Sequence, residues 1–491
     1  MLRKITDCSV AVKYRDWFLC FVSAIILILP FTTFGLWFFA WFGFIPFFTA
    51  IKNKNKFYTF LLAYFTGVVF WLGTIYWLSH VTVMGTVILV LYLSLYFGLF
   101  GLLIGSHMAI PRKRILFFVP AVWVLLEFAR SYLLTGFPWA LLGYSQTSNL
   151  PIIQIADITG TYGVSFLIVM VNVALYSKKR IMPALLCCVI VASYGFYKLY
   201  WPDRNKDIVK YKVSVVQGNI PQQMKWDERA RGYIINKYLE LTHKAEGDGP
   251  DLIVWPEASW PFLLNDNDIN LAEGMDFLSG LKSSLVFGAV TMRGGFYYNS
   301  ALFYRKGLKT PGIYDKLHLV PFGEYIPLKK IFPFLETIAP IGDITKGNKY
   351  TVFSDRNDFS VLVCFEDLFP ELSRRFVRKG ASFLVNITND AWYGNTTAAY
   401  QHLQASIMRA VENRVWVVRS ANTGISAFIN SKGKIISLVS DRCRGSLFVD
   451  GVATSSVNIM AGKYKTFYTY TGDLFVLFSL LYLVIFLKKR N

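Results

Sequence analysis

A cysteine with two acidic neighbours stands at the end of an apolar run in the C-terminal half of the sequence. Residues 359–363 are predicted to form a buried β-strand, and Cys364, Glu366 and Asp367 follow it within four positions. A thiol held at a strand end beside carboxylates can be fixed in place and polarised, as a nucleophile requires. On this stretch alone a structural cysteine is an equal alternative, because buried thiols are common in protein cores.

Two further polar residues complete a possible reactive set. Residues 251–255, a predicted strand, run into Glu257, and Lys316 lies in the segment between this strand end and Cys364. The glutamate could take the thiol proton, and the thiolate could attack an acyl carbonyl while the ammonium stabilises the charge that develops on oxygen. Each also has a structural interpretation: Glu257 could be a cap and Lys316 a solvated loop lysine.

The segment that carries these residues has the pattern of an α/β domain. Helices are predicted at 227–244, 370–379 and 401–413. Short strands are predicted between them, at 212–217, 251–255, 284–290, 300–304, 359–363, 382–386 and 415–419. The alternation predicts one layered domain over residues 199–471.

The rest of the chain is too apolar for a soluble protein. Of 491 residues, 54% are hydrophobic and 17% aromatic. Eight apolar segments approach the ~20 residues that a bilayer core requires, at 17–31, 33–51, 57–79, 83–107, 115–134, 159–177, 181–198 and 472–487. We therefore predict a polytopic bundle of about eight spans, with seven in residues 1–198 and the eighth, with a basic cytoplasmic tail, in 472–491.

The charge of the chain is concentrated around the predicted spans. The net charge is +20, but residues 199–471 carry 33 Lys and Arg against 26 Asp and Glu. The basic loops at 52–56, 112–114, 178–180 and 488–490 alternate with loops that have little positive charge. By the positive-inside rule both termini are cytoplasmic and the 199–471 domain lies on the opposite side of the membrane. We see no nucleic-acid-binding motif and expect no nucleic acid partner.

Metal and cofactor sites are not indicated. The six cysteines are too few for a disulfide framework, and the five histidines are scattered without metal-ligand spacing. Glu127 and Arg130 lie three positions apart in the fifth predicted span, where an unpaired charge is costly. A structural ion pair there is at least as good an interpretation as a functional one.

Three motifs together resemble the signatures of the nitrilase (carbon–nitrogen hydrolase) superfamily. They are Trp255-Pro256-Glu257, the segment 314–324 with Lys316, and Cys364-Phe365-Glu366. Combined with eight spans and one large loop before the last, they resemble the apolipoprotein N-acyltransferase family over essentially the whole chain. Further fitting segments are 134–139, 216–222, 225–226, 386–394 and 419–424.

The resemblance implies a four-layer αββα domain with a Glu–Lys–Cys triad. Glu257 would be the general base, Lys316 the transition-state stabiliser and Cys364 the nucleophile. Glu324 and Glu366 match further acids that the family needs near the triad.

Two other positions bear on how the implied site would work. Trp226 matches a substrate-binding tryptophan of the family on a loop near the site. Phe365 stands where the family commonly has tyrosine. Its backbone N–H could still serve an oxyanion hole, because that role needs no side chain.

The implied reaction is acyl transfer in two halves in a bacterial inner membrane. Cys364 would take a fatty acyl chain from a phospholipid, expected to be phosphatidylethanolamine, and pass it to the α-amino group of the diacylglyceryl-modified N-terminal cysteine of an apolipoprotein. The catalytic domain would lie on the periplasmic or outer side, and the reaction needs no cofactor. A lid that excludes water from the thioester is predicted at 329–346.

Two other functions stay open from the sequence. A membrane-tethered amidase or nitrilase would use the same three residues on soluble amides, and it would not need eight spans. A transporter or membrane receptor would use the outer domain only to bind a ligand and would not need the thiol. Sparse charge within the spans disfavours a transport path.

Overall fold

The chain folds into two compact units in its computed structural model, residues 1–201 with 471–491 and residues 202–470. The structure describes residues 2–108, 115–178, 180–200, 208–265, 280–305, 311–326, 344–460 and 465–488. The predicted combination of a membrane helix bundle and an α/β domain is confirmed.

The first unit is a bundle of apolar helices. Its elements are α1 (Leu2–Ile28), α2 (Ile45–Ile51), α3 (Lys56–Ile75), α4 (Val83–Met108), α5 (Ile115–Tyr132), α6 (Leu150–Ile153), α7 (Ala156–Ser177), α8 (Ile181–Tyr200) and, after the second unit, α13 (Leu474–Lys488). Within the described residues, six helices are long and apolar enough to cross a membrane, and Trp37–Ile51 and Leu474–Lys488 are shorter apolar segments. The protein is therefore a membrane protein.

The second predicted span differs most from the structure. Residues 33–51 do not form one helix, because Gly35 takes a left-handed backbone conformation and Pro46 lies in the first turn of α2. The segment divides into a 3-10 turn at Trp37–Trp41 and α2. Asn172 of α7 joins the two pieces, since its side chain donates to Ala40 O at 2.8 Å and accepts from Phe44 N at 2.9 Å.

The charged pair of α5 organises the loop that follows that helix. Arg130 Nη1 donates to Trp139 O at 2.8 Å, and Glu127 Oε1 accepts the N–H of Leu142 at 2.7 Å. Both side chains are buried. These bonds to backbone groups favour the structural interpretation of the pair.

The second unit contains two β-sheets. The strands are β1 (Ile208–Gln217), β2 (Leu252–Val254), β3 (Leu264–Asn265), β4 (Ser284–Arg293), β5 (Phe296–Tyr304), β6 (Gly312–Asp315), β7 (Phe353–Ser354), β8 (Asp358–Val363), β9 (Phe383–Thr388), β10 (Trp416–Ala421), β11 (Ala427–Ile429), β12 (Ile435–Leu438) and β13 (Gly451–Met460). The first sheet has the strand order β13-β1-β2-β4-β5-β6, with β3 beside β4, and the second has the order β12-β11-β10-β9-β8-β7.

Helices cover the outer faces of the two sheets. Helix α9 (Arg231–Glu246) packs on the first sheet, where the ring of Tyr238 stacks on Trp255 with centroids 4.9 Å apart. Helices α10 (Pro370–Lys379) and α11 (Ala398–Asn413) pack on the second, and the short α12 (Phe467–Thr471) follows β13. Ser420 Oγ reaches from the second sheet to Val216 O and Val254 O of the first, both at 3.1 Å. The domain therefore has helix, sheet, sheet and helix layers.

Candidate active site

The three predicted reactive residues follow strands that end at the same edge of the fold. Strand β2 is parallel to β4, and β4 and β6 are each antiparallel to β5, so β2 and β6 run in the same direction. Glu257 follows the carboxyl end of β2, and Lys316 directly follows β6. Cys364 directly follows β8, in a 3-10 turn over Cys364–Leu368.

Glu257, Lys316 and Glu324 form one hydrogen-bonded cluster. Lys316 Nζ lies 2.9 Å from Glu324 Oε1 and 3.5 Å from Glu257 Oε1, and its side chain is only 1% exposed. Asn299 of β5 joins the two acids, because its Nδ2 donates to Glu257 Oε1 at 2.8 Å and to Glu324 Oε1 at 2.7 Å. Glu324 Oε2 also accepts the N–H of Val320, which closes the loop around it. The ammonium is thus held between two carboxylates.

These carboxylates keep Lys316 charged. Burial alone would lower the pKa of its ammonium, but Glu324 and Glu257 raise it well above the ordinary value. A permanently charged, buried ammonium suits the stabilisation of an oxyanion.

The position of Glu257 is set by close packing of its turn against the backbone of strand β4. The residue after it, Ala258, has a φ of 45°, and the turn lies directly against Gly288 of β4. A Cβ at position 288 would stand 2.7 Å from Glu257 Cα, which real Cβ atoms do not tolerate. The buried Lys225 completes the support, since its Nζ donates to Glu257 O at 2.9 Å and to Ala258 O at 3.2 Å.

Cys364 is a buried thiol in a left-handed backbone conformation. Its φ is 54°, and such a conformation costs a non-glycine residue about 1–3 kcal/mol. Burial and the negative charge of Glu257 raise the pKa of the thiol well above its usual range, whereas Lys316 lowers it. A thiol whose pKa is raised is protonated near neutral pH, so it needs a base to become a nucleophile.

Glu366 ties the turn of Cys364 to the loop of Lys316. Its carboxylate accepts the N–H of Val363 at 2.7 Å, of Leu317 at 2.6 Å and of His318 at 3.0 Å, and the hydroxyl of Tyr314 at 2.8 Å. Burial raises the pKa of Glu366 to about 7, against the opposing effect of these hydrogen bonds. The predicted Glu366 is therefore a shared anchor for two of the loops that carry reactive residues.

Two of the remaining predicted positions, Phe365 and Trp226, adjoin residues of the site in the sequence. The ring of Phe365 is buried against Phe369, with centroids 5.2 Å apart. Trp226 is 59% exposed and directly follows the buried Lys225. The predicted lid at 329–346 lies, apart from residues 344–346, outside the described residues. Cys443 is an exposed free thiol, and Cys364 is also free.

Several residues of the site were not predicted from the sequence. Asn299 and Lys225 were not assigned a role, although Lys225 stood in a motif that fitted the family. Behind Cys364 the structure also has a buried set of charges in which His402 bonds two aspartates. That histidine is isolated in the sequence, and only the fold brings its partners to it.

Comparisons with known proteins agree with this architecture. Residues 23–174 match the model of the apolipoprotein N-acyltransferase N-terminal domain, and residues 212–456 match the carbon–nitrogen hydrolase model. An apolipoprotein N-acyltransferase of Geobacter metallireducens is 38% identical over 499 residues, covering 95% of this chain and 93% of the relative. That of Methylococcus capsulatus is 32% identical over 411 residues, covering 79% and 77%.

A solved structure is similar to about half of this chain. It is Saccharomyces cerevisiae Nit3, a member of branch 10 of the nitrilase superfamily, with a TM-score of 0.38 and 19% identity over 51% of this chain and 90% of that one. The identity to the curated relatives extends across both units. The chain belongs to the apolipoprotein N-acyltransferase family, a family of membrane-embedded acyltransferases.

Proposed function

We propose that this protein moves a fatty acyl chain from a membrane phospholipid, through a thioester on Cys364, to the α-amino group of the lipidated N-terminal cysteine of apolipoproteins. One observation supports this most: Glu257 and Lys316 lie in one cluster, and Glu366 ties the loop of Lys316 to the turn of the buried Cys364. The names of the relatives support the class of acceptor.

In the first half of the reaction Glu257 takes the proton from the Cys364 thiol. The thiolate attacks the ester carbonyl of the phospholipid, and the oxyanion that forms faces the ammonium of Lys316. We predict the backbone N–H of Phe365 as a second oxyanion donor. The carbon–oxygen bond then breaks, and Glu257 returns its proton to the alkoxide, which leaves as a lysophospholipid.

In the second half the α-amine of the acceptor attacks the thioester carbonyl. Glu257 takes a proton from the amine, the carbon–sulfur bond breaks, and the thiolate is reprotonated as the amide leaves. The same base and cation thus serve both halves, as a ping-pong mechanism requires. Glu324 holds the ammonium of Lys316, and Glu366 holds the loops on which Lys316 and Cys364 lie.

The site requires lipid-anchored substrates to approach it. We propose that the exposed Trp226 contacts lipid substrate beside the base, because the neighbouring Lys225 is fixed to the backbone of Glu257. We further propose phosphatidylethanolamine as donor and diacylglyceryl-modified apolipoproteins as acceptors. The proposed location is the bacterial inner membrane, with both termini cytoplasmic, spans within 1–198 and 472–491, and residues 199–471 on the periplasmic side.

The proposal is tested with the purified protein in phosphatidylethanolamine vesicles and a diacylglyceryl-modified acceptor peptide. N-acylation of the peptide is followed by mass spectrometry. We expect Cys364→Ala to abolish it and the exposed Cys443→Ala to leave it near the wild-type rate. Acylation by the Cys364→Ala protein would overturn the proposal. Ammonia release from a soluble amide, without N-acylation, would favour a membrane-tethered amidase instead.

A further inference from the structure

A set of four buried ionisable side chains lies behind the proposed nucleophile. Asp367, Asp390, His402 and Arg419 are each at most 3% exposed. Asp367 lies in the turn that begins at Cys364, and the others lie after β9, on α11 and on β10. None of them is a residue of the proposed triad.

His402 bridges the two aspartates with both of its ring nitrogens. Nε2 lies 2.8 Å from Asp367 Oδ1, and Nδ1 lies 2.9 Å from Asp390 Oδ1. An ionised carboxylate only accepts hydrogen bonds, so both nitrogens carry a proton and the ring is an imidazolium. Burial and Arg419 lower the pKa of His402, but the opposite effect of Asp367 and Asp390 is larger and raises it to about 9.

Arg419 balances the remaining charge of the set. Its Nη1 lies 3.2 Å from Asp367 Oδ2, and its Nη2 lies 3.0 Å from Asp390 Oδ2. Two carboxylates therefore face two cations, which makes full burial of all four tolerable. Removing one charge would leave an uncompensated partner in the protein interior.

The set is connected to the backbone of Cys364. His402 Nε2 lies 3.3 Å from Cys364 O, and Asn386 Nδ2 donates to the same oxygen at 3.3 Å and to Leu362 O at 3.3 Å. Arg419 Nη1 in turn donates to Asn386 Oδ1 at 2.7 Å. A strained left-handed residue persists only where its surroundings fix it, and these contacts fix the carbonyl of Cys364.

We propose that His402 is a positioning residue for the nucleophile: as an imidazolium held by Asp367 and Asp390, it fixes the carbonyl of Cys364 and thereby aims the thiol. This inference rests on the proposed function of Cys364. His402 acts through the backbone carbonyl of Cys364. Loss of its proton leaves the two aspartates with only the charge of Arg419 opposite them, and the turn at Cys364 loosens.

The charged groups that face His402 allow its positioning role to be tested through the pH dependence of activity. They are Asp367 from the turn of Cys364, Asp390 from the turn after β9, and Arg419 from β10. Removal of either aspartate withdraws a charge that favours the imidazolium. The pH at which His402 deprotonates should then fall, and the alkaline loss of activity should move with it.

The experiment measures single-turnover acylation of the full-length enzyme in phosphatidylethanolamine vesicles between pH 6.5 and 10, with thermal unfolding recorded at each pH. We expect Asp390→Asn and Asp367→Asn to move the alkaline limb to lower pH by about one unit or more, on the order of the shifts that a neighbouring charge produces. We expect His402→Gln to lower the acylation rate at pH 7.5 by roughly 10²-fold, the cost of a misplaced reacting group, with the lipid concentration at half-saturation little changed. Glu412→Gln is the matched control, since it removes a buried acid of α11 that pairs with Arg409, which donates to Leu368 O at the end of the same turn, but leaves both aspartates at His402 in place.

The possible outcomes separate this inference from the function on which it rests. If wild-type enzyme forms no thioester on Cys364, the proposed function fails. The thioester could form while the alkaline limb of the pH–rate profile stays in place in both Asp390→Asn and Asp367→Asn. The positioning role is then wrong, whether or not His402→Gln folds. The role is also wrong if Glu412→Gln moves the limb as far as Asp390→Asn does.

Discussion

The carboxylate of Glu366 accepts the N–H of Leu317 at 2.6 Å, and this bond joins the turn of Cys364 to the loop of Lys316. The same carboxylate accepts the N–H of Val363, one residue before Cys364. A single acid therefore sets the relative positions of Cys364 and Lys316, which come from different sheets.

Replacing this acid by its amide should cost both activity and stability. In Glu366→Gln an amide N–H₂ faces groups that all donate, so the two loops separate. We expect the rate of acyl transfer to fall by about 10²-fold and the free energy of unfolding by about 1–3 kcal/mol. Glu371→Gln, in an exposed pair with Arg375, is the matched control and should leave both unchanged. Full activity in Glu366→Gln, measured by peptide N-acylation, would refute the anchoring role.

The raised pKa of Glu366 predicts opposite effects of pH on stability and on activity. The folded value of about 7 lies above the ordinary 4.5, so the stability that this group contributes is fully present below 4.5 and is lost as the pH rises through 7. The loss is about 3 kcal/mol over that interval. Activity, which needs the ionised carboxylate to accept four donors, should rise over the same range.

Thermal unfolding of wild type and Glu366→Gln separates the effect of Glu366 from that of other titrating groups. The difference in melting temperature between wild type and Glu366→Gln should grow as the pH falls from 7 toward 5, because only the wild type takes up the proton. A difference that stays constant, or that shrinks, would show that Glu366 does not titrate there.

Part of the site follows from sequence features that are local. Glu257 and Cys364 each come after a predicted apolar strand, whereas β6, the strand before Lys316, was not predicted. Because β2 and β6 belong to one sheet and β8 to the other, strand patterns alone do not bring the three residues together, and only the family resemblance implied that they converge.

Other parts of the site depend on contacts between distant segments. Asn299 lies in β5, 42 residues from Glu257, and its side chain reaches the acid only through the register of β5 on β4 and β6. Strand β13 was not predicted, because its Thr-Ser-Ser segment is polar and its order comes from pairing with β1. His402 is an isolated histidine in the sequence, and the fold alone places two aspartates around it.

Asn299 should be required because its side-chain N–H₂ group donates hydrogen bonds, and not only because its side chain has the right size. In Asn299→Asp a third carboxylate meets Glu257 and Glu324, and no N–H remains to bridge them. We expect thioester formation to slow by about 10²-fold, the smaller end of what a general base contributes. Asn458→Asp on the exposed side of β13 is the control and should have no effect. Wild-type rates of thioester formation in Asn299→Asp would show that the bridge is dispensable.

The contact between Gly288 and the Glu257 turn gives a steric test. In Gly288→Ala the new Cβ would stand 2.6 Å from Ala258 N and 2.7 Å from Glu257 Cα, so the backbone of the base must move. A displacement of this size should lower the acylation rate by roughly 10²-fold. Gly232→Ala, in α9 with open space around it, should be neutral or slightly stabilising. Equal rates in the two variants would contradict the proposed placement of Glu257.

A thioester on Cys364 is required by the proposed reaction, and intact-mass spectrometry of the protein can detect it. After incubation with phosphatidylethanolamine vesicles and no acceptor, we predict a mass increase of one fatty acyl chain that hydroxylamine reverses. The adduct should map to Cys364 and be missing in Cys364→Ala. An unmodified wild-type protein that nevertheless acylates the acceptor peptide, or an adduct that hydroxylamine leaves intact, would contradict the account.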